Sequence, residues 1–268
     1  MAVIKLKVLN KEGHTLATSQ TGERVNLVYA GCYQPGDWIV LESDSRELFC
    51  EIQLEDSMPP AVVYLPEGNL QFHIPPEDNR SNYSPKSFTG PVHLLQAKVM
   101  ERSHLSQRRN LALNPYDGHD STGFFPHAKA NIETRNEAVF AARNAIDGVF
   151  VNNSHGEWPY QSWGINRDPM AELRLDLGRM VMVDEIRLTL RADFPHDSWW
   201  EEATVEFSDG SREVFHLEKT GEPQSFPMEP RKIEWLVLKE LKKAPDQSPF
   251  PALTQIEVWG TDINSSEK

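Results

Sequence analysis

The feature that most restricts this chain is a two-residue hydrophobic alternation, repeated in short runs and punctuated by proline, glycine, asparagine and aspartate. Ile4, Leu6 and Val8 alternate with lysines, Leu173, Leu175 and Leu177 with Arg174 and Asp176, and Ile186, Leu188 and Leu190 with Arg187 and Thr189. A period of two places one set of side chains on one face of a strand, whereas a helix needs a period near 3.6. In the first hundred residues similar runs fall at 38–41, 48–54, 61–65, 70–74 and 92–99, separated by Pro59-Pro60, Pro66-Glu67-Gly68 and Pro75-Pro76. This spacing predicts a small β-sandwich over residues 1–100. Residues 77–91 read as a long polar loop, and the charged stretch 101–109 as a connector. In the second half, runs at 204–208 and 213–217 flank Asp209-Gly210, a hairpin signal. Further runs at 233–241 and 254–260 complete a count and spacing that suit an eight-stranded jelly roll over 110–262, before a flexible tail at 263–268. Residues 138–145, with alanines at 138, 141, 142 and 145 on one stripe, are the one segment with helical periodicity. The predicted fold class is all-β, with two β-sandwich domains.

Composition narrows the function. The chain has 40 acidic against 27 basic residues, a formal net charge of −13, which disfavours an electrostatic grip on nucleic acid or anionic lipid. No run approaches the roughly 18–20 apolar residues of a membrane span, and the N-terminus lacks a signal-peptide core, so the sequence as written reads as cytoplasmic, or extracellular if a leader was removed. Cys32 and Cys50 could pair, although two buried thiols is the simpler reading. No G-x-S-x-G, H-E-x-x-H or glycine-rich phosphate loop is present. Asp193, His196, Asp197 and Glu201 cluster, which would permit acid–base work in a glycan-processing enzyme, but such a polar loop is more simply solvated turn chemistry. The expectation is a protein that is not an enzyme.

Four segments, taken in order, carry a family resemblance: 110–114 (NLALN), 141–148 (AARNAIDG), 173–178 (LRLDLG) and 208–210 (SDG). Together they resemble the discoidin, or coagulation-factor C-type, domain, which overlaps with the galactose-binding-like sandwiches that include carbohydrate-binding module family 32. The resemblance covers residues 110–262 and implies a discoidin-like jelly roll that binds a glycan or monosaccharide. It also implies a structural calcium ion tying the Asp147-Gly148 loop to a glutamate near the C-terminus, with Asp147 and Glu257 as side-chain ligands. The chain departs from the family pattern where Val149-Phe150-Val151 intervenes before Asn152, Asn153 and Ser154, any of which could replace the family's hydroxyl ligand; Asn152 is taken as the third candidate.

A sugar site needs an aromatic ring for the apolar face of a pyranose and paired donors and acceptors for its hydroxyls. Two loops have that composition, 152–167 (NNSHGEWPYQSWGINR) and 191–200 (RADFPHDSWW). The candidate ligand-binding residues are His155, Trp158, Tyr160, Arg191, Asp193, His196 and Trp199, with Trp163 the candidate core tryptophan. Arg191 and His196 are placed at the outward-facing end of a strand. Tyr33 and the Pro35-Gly36-Asp37-Trp38 turn mark the N-terminal half, whose expected job is domain packing or homo-oligomerisation. The expected function is non-catalytic carbohydrate binding at a rim site; the alternative is a protein-interaction or assembly module, which an exposed aromatic patch on one flat face shared by both sandwiches would favour.

Overall fold

A computed structural model describes residues 2–153, 158–192 and 198–263. The first half contains β1 (Ile4–Leu9), β2 (Thr15–Thr18), β3 (Arg24–Tyr29), β4 (Trp38–Ser43), β5 (Leu48–Gln53), β6 (Ala61–Leu65), β7 (Leu70–His73) and β8 (His93–Val99). They form two antiparallel four-stranded sheets, ordered β2-β1-β4-β7 and β3-β8-β5-β6. The alternating residues Ile4, Leu6, Val8, Val25, Leu27, Ile39 and Leu41 meet Cys50, Ile52, Val63, Leu65 and Phe72 in one core. Cys50 is buried there and Cys32 is exposed, both as free thiols.

The polar stretch 77–91 is more than a surface loop. Tyr83 and Phe88 insert into the first core, and the buried Glu55 accepts the Phe88 N–H at 3.0 Å. Without an alternating neighbour pattern, these two rings gave no strand or helix signal.

The second half contains β9 (Arg109–Asn110), β10 (His127–Ala130), β11 (Trp163–Gly164), β12 (Leu173–Leu190), β13 (Trp200–Phe207), β14 (Arg212–His216), β15 (Gln224–Lys243) and β16 (Ala252–Asp262). They form a single eight-stranded sheet with the path β11-β16-β12-β15-β13-β14, to which β10 adds at β12 and β9 at β16. The long strands β12 and β15 change register between Asp176 and Val181, where Gly178 takes a φ of +69° that an L side chain tolerates poorly. Before the break β12 pairs with the C-terminal half of β15, and after it with the N-terminal half. Both strands therefore bend there and serve both walls of one core, in which Trp163 and Trp200 are fully buried.

Residues 138–145 do not form the expected α-helix. Two short 3-10 turns, Ala138–Phe140 and Ala142–Ile146, are separated by Ala141 in an extended conformation. The Ala142 N–H goes to the Glu133 carboxylate at 2.8 Å, and the Asn144 side-chain amide takes the Ala138 carbonyl at 2.9 Å. Side-chain partners thus replace the helical ladder.

The two halves are knitted together. After β9 the chain runs back over the first sandwich, placing Tyr116 and Phe124 in its core and pairing Phe125 with Tyr64 and Thr122 with Gln71. Arg143 completes the junction: its Nε donates to the Asp117 carbonyl at 2.8 Å, its Nη2 to the Pro115 carbonyl at 2.5 Å, and its guanidinium lies 4.6 Å from the centroid of Tyr83.

Candidate functional site

Where β12 ends and β16 begins, four segments converge on a cleft of about 180 Å³. One wall comes from Thr134, Arg135 and Phe140, the other from residues 160–167, with Arg191 and Phe250 closing it. β11 fixes the second wall by pairing Trp163 with Leu253 and Gly164 with Ala252, and the Trp163 indole N–H donates to the Ile132 carbonyl at 3.0 Å. The Asn166 N–H donates to Thr134 Oγ1 at 2.9 Å, joining the two walls. Gly164 permits this approach, because a Cβ there would lie 2.7 Å from Thr134 Oγ1 and 3.2 Å from Phe140 Cβ. Phe140 and Tyr160 meet edge to face with centroids 6.4 Å apart.

The backbone around this cleft is strained. Arg135 (φ 53°), Asn136 (φ 54°), Asn166 (φ 49°) and Arg167 (φ 62°) are all left-handed, and the other described non-glycine residues of that kind are Glu47, Phe88 and Glu240. Three of the four line the cleft. A left-handed non-glycine residue costs on the order of 1–3 kcal/mol and persists only where surrounding structure imposes it, which is typical of binding sites.

The structure brings together two of the predicted ligand residues. Arg191 Nη1 donates to the Tyr160 carbonyl, and its guanidinium sits 5.1 Å from the Tyr160 ring centroid. The expectation that Arg191 points outward from its strand is corrected: it is 1 % exposed. A register shift between Thr189 and Leu190 breaks the alternation at the end of β12, so Leu190 and Arg191 are both buried, as a bulge re-aims side chains. Trp158 and Trp199 are half-buried and do not line the cleft; Trp199 packs against the second core. His155, Asp193 and His196 lie outside the described residues, as do Ser154, Asp197 and residues 264–268. Sequence reasoning missed Arg135, Phe140 and Phe250, and it included Asn166 and Arg167 in the candidate loop 152–167 without singling them out. The only local signal was the pairing of asparagine with arginine at 135–136 and 166–167, since asparagine tolerates the left-handed region better than other L residues.

The structure does not bring the three predicted calcium ligands together. Asp147 Oδ1 accepts the Val149 N–H at 2.9 Å and Gln255 Nε2 at 2.7 Å, while Oδ2 accepts Gln161 Nε2 at 3.0 Å. Burial raises the Asp147 carboxyl pKa, and Arg143 and these donors pull it back. The terminal-strand residue that faces Asp147 is Gln255, not Glu257. Glu257 is raised by its own burial and countered by Arg187. Asn152 has a buried Oδ1 without a partner among the described residues and makes no described contact with Asp147. Oxygens do gather at the loop, but an amide nitrogen holds their centre: Gln255 Nε2 lies 2.7 Å from the Asn144 and Thr254 carbonyls and 3.3 Å from that of Val149. Among the described residues no group of three or more His, Cys, Asp or Glu side chains could hold a metal.

A second cleft, about 160 Å³, lies at the junction of the halves between Pro75, Asn82 and Tyr83 on one side and Asp117, His119 and Arg143 on the other. Beside it, His127 Nδ1 meets Asp117 Oδ1 at 2.6 Å and His119 Nε2 meets Glu133 Oε1 at 3.0 Å. The carboxylates also serve the backbone, accepting the Ala128 and Ala142 N–H groups, so they read as structural. Both imidazoles are raised above 6.5, each chiefly by the hydrogen bond to its carboxylate. A raised histidine adds stability that is fully present below its unfolded pKa and lost as pH rises through the folded one. The stability difference between the parent chain and His127→Gln should therefore be widest at about pH 5–6 and narrow toward pH 9. Urea titrations across that range check it; a gap independent of pH would contradict it.

No family model and no curated protein matches the sequence. Solved structures do match, among them carbohydrate-binding modules and a lectin domain. The lectin domain of lectinolysin complexed with Lewis B antigen matches 57 % of this chain and 97 % of its own, at 16 % identity and a TM-score of 0.42. Chitosan-binding module 1 from a Paenibacillus sp. IK-5 chitosanase/glucanase matches 57 % and 99 %, at 17 % identity and 0.38. The family 32 module from C. perfringens NanJ, in complex with galactose, matches 49 % and 91 %, at 17 % identity and 0.36.

Proposed function

We propose that the chain binds a saccharide, without catalysis, in the cleft between Phe140, Tyr160, Asn166, Arg167, Arg191 and Phe250. The observation that carries this reading is the coincidence of aromatic walls with a strained, asparagine- and arginine-bearing rim in one concave opening. Aromatic rings offer a surface for the C–H face of a pyranose, and the exposed Asn166 and Arg167 supply directional partners for hydroxyls. No nucleophile with an adjacent general base lines it among the described residues, which supports binding over turnover. The interaction-module alternative has less support. Val28 and Leu94, paired across β3 and β8, and Val92 are exposed, but this patch lies on the first sandwich and is not shared by both.

A glycan array followed by calorimetric titration tests the reading. Phe250 is 37 % exposed, so Phe250→Ala should leave folding intact while weakening a sugar hit at least about 10-fold, or ~1.4 kcal/mol. Failure of every sugar to bind the parent chain, or full affinity in this variant, rejects the assignment.

A further inference from the structure

Resting on the saccharide reading, we propose that the ligand carries a carboxylate, as a uronic-acid-type sugar does, and that Arg167 receives it. The chain as a whole is strongly acidic, yet among the described residues lining the cleft there are three arginines and no aspartate or glutamate. That is opposite in sign to the chain as a whole at one concave place, the arrangement that concentrates an anion.

The three arginines are not equivalent. Arg135 is committed: its Nε and Nη2 reach the two carboxylate oxygens of Glu137 at 2.6 and 2.7 Å. Arg191 is buried beneath Tyr160 and donates to its carbonyl, so it forms part of the floor. Arg167 is exposed at the mouth, and among the described residues it donates no hydrogen bond and has no acidic partner. Its guanidinium lies 4.3 Å from the centroid of Phe250, and its left-handed backbone follows Asn166, which is tied to Thr134. Asp246 lines a neighbouring depression with Arg167, but its carboxylate is already held by Lys243 Nζ at 2.7 Å and Ser198 Oγ at 3.1 Å. A guanidinium stacked on a ring and otherwise unused is a preorganised fork for a planar carboxylate, and charge-assisted bonds of that kind are roughly twice as strong as those to a neutral hydroxyl.

The test uses the full chain and matched oligosaccharides, one of galacturonate and one of galactose, titrated by calorimetry at low and high salt. The parent chain should prefer the acidic oligosaccharide by about 10-fold or more, with the preference shrinking in salt. Arg167→Gln should bring the acidic-to-neutral ratio to about one, and Arg167→Lys, which keeps charge without the fork, should leave an intermediate ratio. Equal binding of both sugars by the parent chain, or an undiminished ratio in Arg167→Gln with a native thermal transition, overturns the carboxylate inference while leaving the saccharide site standing. Binding of neither sugar, with no other hit on the array, removes both.

Discussion

Gln255→Glu is expected to make the stability of the protein depend on calcium. In the parent chain the Gln255 side chain is buried, its Oε1 accepting the Gly148 N–H at 3.0 Å and its Nε2 facing Asp147 and the surrounding carbonyls. The amide puts the positive end of a dipole where oxygens converge, and so ties the 144–149 loop to β16. Glutamate would replace that donor with a second carboxylate against Asp147, whose carboxyl already titrates high because it is buried. An uncompensated buried charge costs about 3–5 kcal/mol, or a fall in Tm of roughly 6–20 °C for a chain of this size. The same change would complete a hard-oxygen shell, since the two glutamate oxygens would join Asp147 Oδ1 and the Asn144, Val149 and Thr254 carbonyls, near the roughly six to eight that calcium takes. Thermal unfolding in chelator and in millimolar calcium measures both parts. The parent Tm should be the same in both, and the variant's should be low in chelator and restored by calcium. A parent Tm that rises with calcium would mean that a cation displaces the amide, and a variant that calcium fails to rescue would mean that the oxygens cannot close around an ion.

That site also shows what the sequence could and could not reveal. The Asp147-Gly148 turn and its pairing with the last strand were legible, because aspartate followed by a left-handed glycine (φ 81°) is a local signature. Which residue of β16 faces the turn was not, since Gln255 and Glu257 share strand parity and only the fold selects between them. Period-two runs such as Leu173–Leu177 exposed the long strands clearly, yet not their joint bend, which depends on pairing between residues some sixty positions apart. Strand β3 was missed even though Val25, Leu27 and Tyr29 alternate, because Asn26 and the polar residues before it weakened the run. The cleft was half legible. Tyr160 and Arg191 stood in aromatic, polar loops that suggested a site, while Arg135, Phe140 and Phe250 come from segments whose only link is spatial. Trp163 fills the core as its place after the Asp147-Gly148 turn suggested, whereas aromatic content alone misled at Trp200, whose ring is also fully buried.

Arg143→Ala should be the most damaging single truncation at the junction of the two halves. Arg143 is 7 % exposed and spans them, donating to the carbonyls of Pro115 and Asp117 and lying over the Tyr83 ring of the first core. Alanine would leave two buried carbonyls without those donors, at about 1–3 kcal/mol each, and lose a cation–π contact of about 0.5–2 kcal/mol. It would also remove the positive charge that offsets burial of Asp147, so that carboxyl would become harder to ionise. Together these terms amount to roughly 2.5–8 kcal/mol, a large part of the stability of an ordinary domain. Lysine should recover little, because a single ammonium on a flexible stem cannot reproduce the planar fork that serves two carbonyls and a ring at once. The effect should reach beyond one sandwich, since the segment that Arg143 grips continues directly into Tyr116 and Phe124 in the other core. Denaturant unfolding followed by far-ultraviolet dichroism and by tryptophan fluorescence should therefore give coincident curves for the parent and displaced, separating curves for Arg143→Ala. A loss below about 1 kcal/mol, or a lysine variant indistinguishable from the parent, would show that the junction is held by apolar packing and that this guanidinium is incidental to it.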